Sequence, residues 1–146
     1  MKTTTLTPKD ITRKWHLVDL SGQVLGRSAV KIARLLAGKD KVLTGDHLDN
    51  GDYVVALNAK SFVVTGKKLT DKMYYSHSGF AGGFKEKNLQ QMIEKDPRKV
   101  IEKAVKGMLP KDKHQQNRLR RLKVYTDDKH PYAVQLGLVK KEEAKS

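Results

Sequence analysis

The sequence predicts an α/β protein in which strands and helices alternate through one compact unit. Three observations carry that expectation. Residues 18–36, "VDLSGQVLGRSAVKIARLL", run from an apolar stretch through a glycine turn into apolar residues at helical spacing. The runs "DYVVALNA" (52–59) and "SFVVTG" (61–66) are β-branched and bounded by turn residues, and such nearly continuous apolar character suits strands covered on both faces. Residues 96–109, "DPRKVIEKAVKGML", then return to the helical period.

Taken in order, a polar leader (1–13) precedes "KWHLVDL" (14–20), a strand stopped by Ser21-Gly22. In the helix that follows, Leu25, Ala29, Ile32, Ala33 and Leu36 form the core face, and Gly38 ends it. Arg27, Lys31 and Arg34 recur at i, i+4 and i+7 as a basic stripe on the other side. "DKMYYSHSGFAGG" (71–83) predicts a strand or ribbon entering a glycine-rich loop, where the backbone approaches a partner closely. Asn88 caps a short helix through Glu94, and Asp96-Pro97 starts a longer one that buries Val100, Ile101, Ala104, Val105 and Met108 before Pro110 stops it. Residues 110–121 read as a loop and "RLKVYT" (121–126) as the last strand. A C-terminal extension (127–146) ends in "VKKEEAKS", a solvated tail by composition. With no internal repeat or composition shift, residues 1–146 are expected to form a single domain.

Charge narrows the partners. The 146 residues carry 30 Lys and Arg against 16 Asp and Glu, a net charge of +14. A polyanion is the usual compensation, because each neutralised phosphate releases a condensed counterion. Nucleic acid is the first candidate and an anionic membrane surface the second, although no stretch approaches the roughly 20 apolar residues of a spanning helix. The absence of cysteine excludes disulfides and thiolate zinc sites and fits a reducing cytosol. The start, "MKTTTLTPKD", has neither the apolar core of a secretory signal nor a transit peptide's arginines, so the mature chain is expected to begin there.

The glycine turn raises the question of a nucleotide enzyme. A phosphate-binding P-loop needs four residues between its glycines and a lysine before the hydroxyl residue; Gly22 and Gly26 are separated by three, and Arg27 precedes Ser28. The dinucleotide fingerprint fails as well, since position 24 is Val24. A tight strand-to-helix turn with Arg27 exposed to an external phosphate or to water is the better reading. His47, Asp49 and Asp52 in "GDHLDNGD" offer an imidazole and two carboxylates to a divalent metal, but Asx-rich turns look the same. The basic segment is more informative. From Lys103 to Lys123, the bases Lys103, Lys106, Lys111, Lys113, Arg118, Arg120, Arg121 and Lys123 face one acid, Asp112, leaving +7 of the chain's +14. This run straddles a helix end, a loop and a strand entrance, so its side chains fan across several phosphates of a folded RNA. Tyr74 and Tyr75 and the glycines at 79, 82 and 83 offer stacking and backbone approach, with at least one of the alternating tyrosines expected in the core.

"VKGMLPK" (105–111) followed by "RLKVYTD" (121–127) resembles the signature of the large-subunit ribosomal protein thirteen family in its bacterial form. "LVDLSGQVLGR", "HLDNGDYVVALNA", "VVTGKKLTDKMYYSHSGFAGG" and "DPRKVIEKAVKGMLP" extend the resemblance collinearly along almost the whole chain. The resemblance implies a three-layer α/β/α sandwich around a small, mainly parallel four-stranded sheet, with extended basic loops and a C-terminal tail. It implies a non-catalytic constituent of the large subunit of a bacterial-type cytoplasmic ribosome, which binds 23S rRNA during early assembly beside neighbouring ribosomal proteins. No cofactor, metal, membrane, small-molecule substrate or homo-oligomer belongs to that picture. It places rRNA contacts on Arg27, Lys67, Lys68, His77, Gly79, Gly82, Gly83, Lys106 and Lys111; the charge pattern adds Lys31, Arg34, Lys113, Arg118, Arg120, Arg121 and Lys123. A free regulatory module acting on messenger RNA is the alternative. The chain departs from the family pattern at Asp46 and Ala81, where prolines are usual, and at Gln115-Gln116 in place of a glycine and arginine. Arg118, Arg120 and Arg121 are expected to restore the missing charge.

Overall fold

The computed structural model describes residues 5–45 and 47–138. The elements run β1 (Trp15–Asp19), α1 (Leu25–Ala37), β2 (Tyr53–Leu57), α2 (Lys68–Asp71), β3 (Met73–His77), β4 (Phe84–Asn88), α3 (Leu89–Lys95), α4 (Pro97–Met108), α5 (Gln115–Arg120) and β5 (Leu122–Val124). Strands β1, β2 and β5 form a parallel sheet with β2 in the centre, in register Val18 to Ala56 and Ala56 to Val124. The central position explains the composition of β2, where Val54, Val55 and Ala56 are completely buried. Parallel strands require crossovers; α1 supplies the first, and the chain through α3, α4 and α5 supplies the second.

Both crossovers continue in one direction, so α1 and α4 lie side by side on one face of the sheet. Their apolar stripes meet there: Ile32 and Leu36 from α1 join Val100, Ile101 and Val105 from α4 over Val18, Val54 and Ala56. The opposite face carries a stack of Trp15 on Tyr53 and Tyr132, at 4.4 and 4.9 Å between ring centres, in place of a second helical layer. Among the described residues the parallel sheet therefore has three strands where four were expected, with α1 and α4 on one face. Strands β3 and β4 form a separate antiparallel hairpin.

Residues 61–66 account for the missing strand. Only Val63 pairs, in a single parallel bridge to Val24, and it does so beside the glycine turn rather than in the sheet. Phe62 is buried while Val63 is 46% exposed, so the run is covered on one side only. Met108, expected in the core, is also exposed: at the end of α4 it is Val105 and Leu109 that turn inward. The expected loop at 110–121 contains α5. The departure at Gln115 has a local explanation: its side-chain amide donates to the Lys106 and Leu109 carbonyls at 3.1 and 3.3 Å, closing the end of α4. Ala81 lies exposed in the hairpin loop; Asp46 and the 139–146 tail fall outside the described residues.

Helix boundaries follow the sequence signals. The Asn88 side chain accepts from the Gln91 amide at 2.8 Å while the Gln91 side chain accepts from the Asn88 amide, a reciprocal cap that fixes α3. Asp96 caps α4 through the Arg98 amide. At the end of α1, Gly38 adopts φ +75° and donates to the Arg34 and Leu35 carbonyls. A Cβ at Gly38 would lie 2.6 Å from the Asn50 carbonyl oxygen. Gly38→Ala should therefore lower unfolding free energy by more than about 1 kcal/mol, combining left-handed strain with a backbone clash. Gly107→Ala, in the open last turn of α4 with nothing near its Cβ, should be neutral or stabilise by up to about 1 kcal/mol. Thermal denaturation of the two variants checks both signs.

Candidate nucleic-acid interface

The glycine turn is closed by the protein's own carbonyls. The Gly22 amide donates to Ser61 at 3.0 Å, the Gln23 amide to Leu20 at 3.1 Å and the Leu25 amide to Val63 at 2.9 Å. These are donors that a phosphate cradle would have to aim at its ligand. Residues 61–63 thus convert a loop of nucleotide-binding appearance into a packing junction, leaving Arg27 exposed just beyond it.

Around that junction the exposed bases converge. Arg27 and Lys31 project from α1; Arg34, two turns further along, is exposed but paired with Asp40 at 2.8 Å. Lys67 and Lys68 stand at the start of α2. A groove of about 350 Å³ between α1, α2 and α4 is bordered by Gly26, Lys68, Lys72, Lys103 and Gly107. A neighbouring depression joins Lys103 to Lys106 and Arg120. Lys111 and Lys113 are exposed on the loop after α4, and Lys123 is half-buried on β5. Lys72 and Lys103 were absent from the predicted contact positions, although Lys103 belongs to the counted basic run; both hold their ammonium groups over the Tyr74 ring, at 5.7 and 5.0 Å. Tyr74 is half-buried against the core and its hydroxyl pKa is raised by burial, so it is the core member of the tyrosine pair. Tyr75 is 61% exposed and stacks on Phe84.

His77 and the glycines lie apart, at the tip of the β3–β4 hairpin. The His77 ring nitrogen accepts from the Gly79 amide at 2.9 Å, and Gly79 and Gly82 supply the positive φ values, +85° and +70°, that turn the chain. The loop is closed by the Gly83 amide donating to Phe80 at 3.0 Å. These glycines build the turn, and the tip they shape is exposed.

Two predicted contact residues are inside the protein. Arg118 and Arg121 are 4% and 6% exposed. Arg121 makes a two-pronged pair with Asp49, both distances 2.6 Å, and also reaches the Leu36 carbonyl at 3.4 Å. Arg118 lies 3.6 Å from Asp49 and bonds Asp112 at 3.0 Å. Their charge is spent on Asp49 and Asp112, so of the three arginines expected to replace missing surface charge only Arg120 is exposed. The candidate metal ligands are likewise engaged separately: His47 contacts the Leu6 carbonyl, Asp49 the arginines, and Asp52 both His16 and Lys41, at 2.8 and 2.6 Å.

The arrangement offers cationic side chains spread over several elements, and among the described residues no cluster of metal-ligating groups. Residues 13–131 match the sequence profile of the family described as Ribosomal protein L13. The chain belongs to that family. It is 48% identical over 138 residues to the large ribosomal subunit protein uL13 of Syntrophotalea carbinolica, covering 94% of this chain and 97% of that one. The uL13 proteins of Thermotoga petrophila and Pseudomonas putida are 50% and 52% identical over 134 and 135 residues, covering 92% of this chain and 90% and 95% of their own lengths. Every contact position predicted from the sequence falls within the family match.

Within this member of the L13 family, Asp49 is the carboxylate shared by the two buried arginines. Burial alone would raise its pKa, but the Arg121 hydrogen bonds and charge, the Gly51 amide and Arg118 outweigh it and hold the carboxyl below its ordinary range. A depressed folded-state pKa contributes stability that is present above the unfolded value near 4 and is lost as pH falls through the folded value. Asp49→Asn should cost about 3–5 kcal/mol at neutral pH by leaving buried guanidinium charge uncompensated, and should flatten the loss of stability below about pH 4. Arg120→Gln should change stability by less than about 0.5 kcal/mol. Denaturant unfolding at neutral and acid pH separates these outcomes.

Proposed function

We propose that the chain is a non-catalytic constituent of the large ribosomal subunit that binds 23S rRNA through its phosphate backbone and acts in the cytoplasm beside neighbouring ribosomal proteins. The observation that carries this reading is the near-complete correspondence with proteins named as large-subunit uL13. The basic residues spread around Lys103, all exposed but the half-buried Lys123, support it physically. Arg27, Lys31, Lys67, Lys68, Lys106, Lys111, Lys113, Arg120 and Lys123 occupy helices, a loop and a strand end, a spread that suits an irregular RNA surface. Scattered Lys and Arg position a protein against phosphate without reading base sequence. The role requires no reaction: binding favours the RNA fold that displays the matching phosphates, by mass action. Stabilisation during early assembly follows from that same preference.

Sucrose-gradient fractionation of a cell extract tests the reading. The chain should sediment with large subunits; finding it chiefly in the light fractions would overturn the proposal and favour a free regulatory module. Substituting Arg27, Lys31 and Lys106 together with Gln should leave the isolated fold's melting nearly unchanged. The same substitutions should weaken association on the order of tenfold or more, through the loss of phosphate contacts.

A further inference from the structure

A second basic concavity lies on the other side of Lys103, at positions the sequence did not single out. In the β3–β4 register Tyr74 faces Lys87 and Ser76 faces Lys85, so by strand alternation these four side chains share one face of the hairpin. That face borders a cleft of about 290 Å³ completed by Lys95 at the end of α3 and by Lys99 and Lys103 on α4. Five lysines therefore border one depression.

Their charge is not balanced from within. Asp96 is the one carboxylate lining the cleft among the described residues, and it is already occupied, capping α4 and pairing with Arg98 at 3.1 Å. The Lys87 ammonium is held below the usual lysine range, first by contact with the Lys95 amine and its charge, with smaller effects from slight burial, Lys85 and Lys99. Elsewhere the structure pairs bases that come close to acids: Arg34 with Asp40, Lys41 with Asp52, Arg121 with Asp49. Here it gathers bases together, an arrangement that is unfavourable in the free protein and favourable once an anion enters.

We propose that this cleft, formed by Lys85, Lys87, Lys95, Lys99 and Lys103, grips a stretch of RNA phosphodiester backbone as a site separate from the α1–α2 groove. The inference rests on the RNA-binding reading above and locates a part of it. Three features select a backbone. The cleft contains lysine and no arginine, point charges suited to single phosphate oxygens rather than to planar, bidentate recognition. Lys99 and Lys103 are one helical turn apart, about 6 Å along the axis, comparable to the step between consecutive phosphates of a strand. Of the two tyrosines lining the cleft, Tyr74 is covered by the Lys72 and Lys103 ammoniums and Tyr75 is stacked on Phe84, so both rings already have partners. An acidic protein segment would meet the same charges, but its apolar side chains would find little to pack on, since Met92 is buried and both lining tyrosines already have partners.

The test uses the full-length chain and protein-free 23S rRNA, with affinity measured across a series of monovalent salt concentrations. A triple variant, Lys87→Gln, Lys95→Gln and Lys99→Gln, is compared with a control of equal charge change, Lys9→Gln, Lys39→Gln and Lys129→Gln. The cleft variant should lose about 2–3 from the slope of log affinity against log salt and weaken on the order of 10²-fold near 0.1 M, at about 0.7–0.9 of slope per lost phosphate contact. The control should lose far less. The melting temperature of the free cleft variant should equal or exceed that of the original chain, because mutual repulsion has been removed. Matching losses in cleft and control variants would overturn the proposal, as would an unchanged slope or a fall in melting temperature. Failure of the unaltered chain to bind naked rRNA would overturn it in favour of an acidic protein partner, while co-sedimentation with large subunits would still uphold the broader reading.

Discussion

One half-buried carboxylate ties the sheet to its first helix. Asp49 sits in the loop before β2 and is clasped by Arg121 at the entrance to β5. The same guanidinium reaches the last turn of α1 through the Leu36 carbonyl, and the Arg121 carbonyl accepts from the Val54 amide in the central strand. Sheet edge, sheet centre and helix end are thereby joined within a few ångströms. Gly51 shows how tight the junction is, because a Cβ there would collide with the Leu36 carbonyl oxygen and the Arg121 guanidinium. Three residues on, Asp52 performs the reciprocal task on the other flank, holding the Lys14 amide, the His16 ring and the Lys41 ammonium at the entrance to β1. The segment "LDNGD" is thus a clamp with one carboxylate facing each neighbour of β2. Such clusters fix geometry more surely than they add net stability, since the cost of desolvating the charges offsets much of the attraction.

That clamp also explains which parts of the interface were legible in the sequence. The α1 and α4 stripes were readable because their apolar residues recur at 3.6-residue spacing and their ends carry local signals, Gly38, Asp96 and Pro97. β2 was readable because a central strand must be apolar on both faces. Residues 61–66 share the composition of β2 but not its fate, since the choice between a sheet partner and the amides of the glycine turn is tertiary. Arg118 and Arg121 illustrate the same limit from the side of charge. In the sequence they are indistinguishable from Arg120, and only the arrival of Asp49 from 72 residues away decides that Arg121 is internal. Lys99 and Lys103 stand at i, i+4 on α4, a spacing visible in the sequence, but Lys99 lies outside the basic run from 103 to 123. The contribution of Lys85 and Lys87 required the hairpin register, because "FKEKN" resembles no buried strand.

The acids and bases consequently divide into two populations. Asp49, Asp52 and Asp112 neutralise bases inside or at the edge of the core, which permits a chain with charge +14 to close around it. The bases left outside are mostly lysines on helix faces and on the hairpin, where repulsion is moderated by solvent. In the proposed ribosomal role this division has a consequence for folding. The internal carboxylate pairs of Arg121 and Lys41 form within the chain itself, so the folded body does not require RNA for its core, while the lysine-lined surfaces reach their lowest free energy only against phosphate.

The glycine turn shows why the basic side chains, rather than the backbone, must then do the recognising. A strand, a glycine and a helix N-terminus provide a small anion site when their amides point at open space. Here Gly22, Gln23 and Leu25 donate to protein carbonyls, so the fixed, short-range donors that would hold one compact ligand are spent. What remains near the turn is Arg27 on α1 and the lysines around Lys103, long flexible groups separated by helix turns and loops. Such groups bind weakly to any single phosphate and well to many phosphates held at matching intervals. In the proposed ribosomal role the fold therefore favours an extended polyanion of defined shape, a preference set jointly by residues 61–63, which close the turn, and by α4, which carries its lysines across the span between the α1–α2 groove and the hairpin.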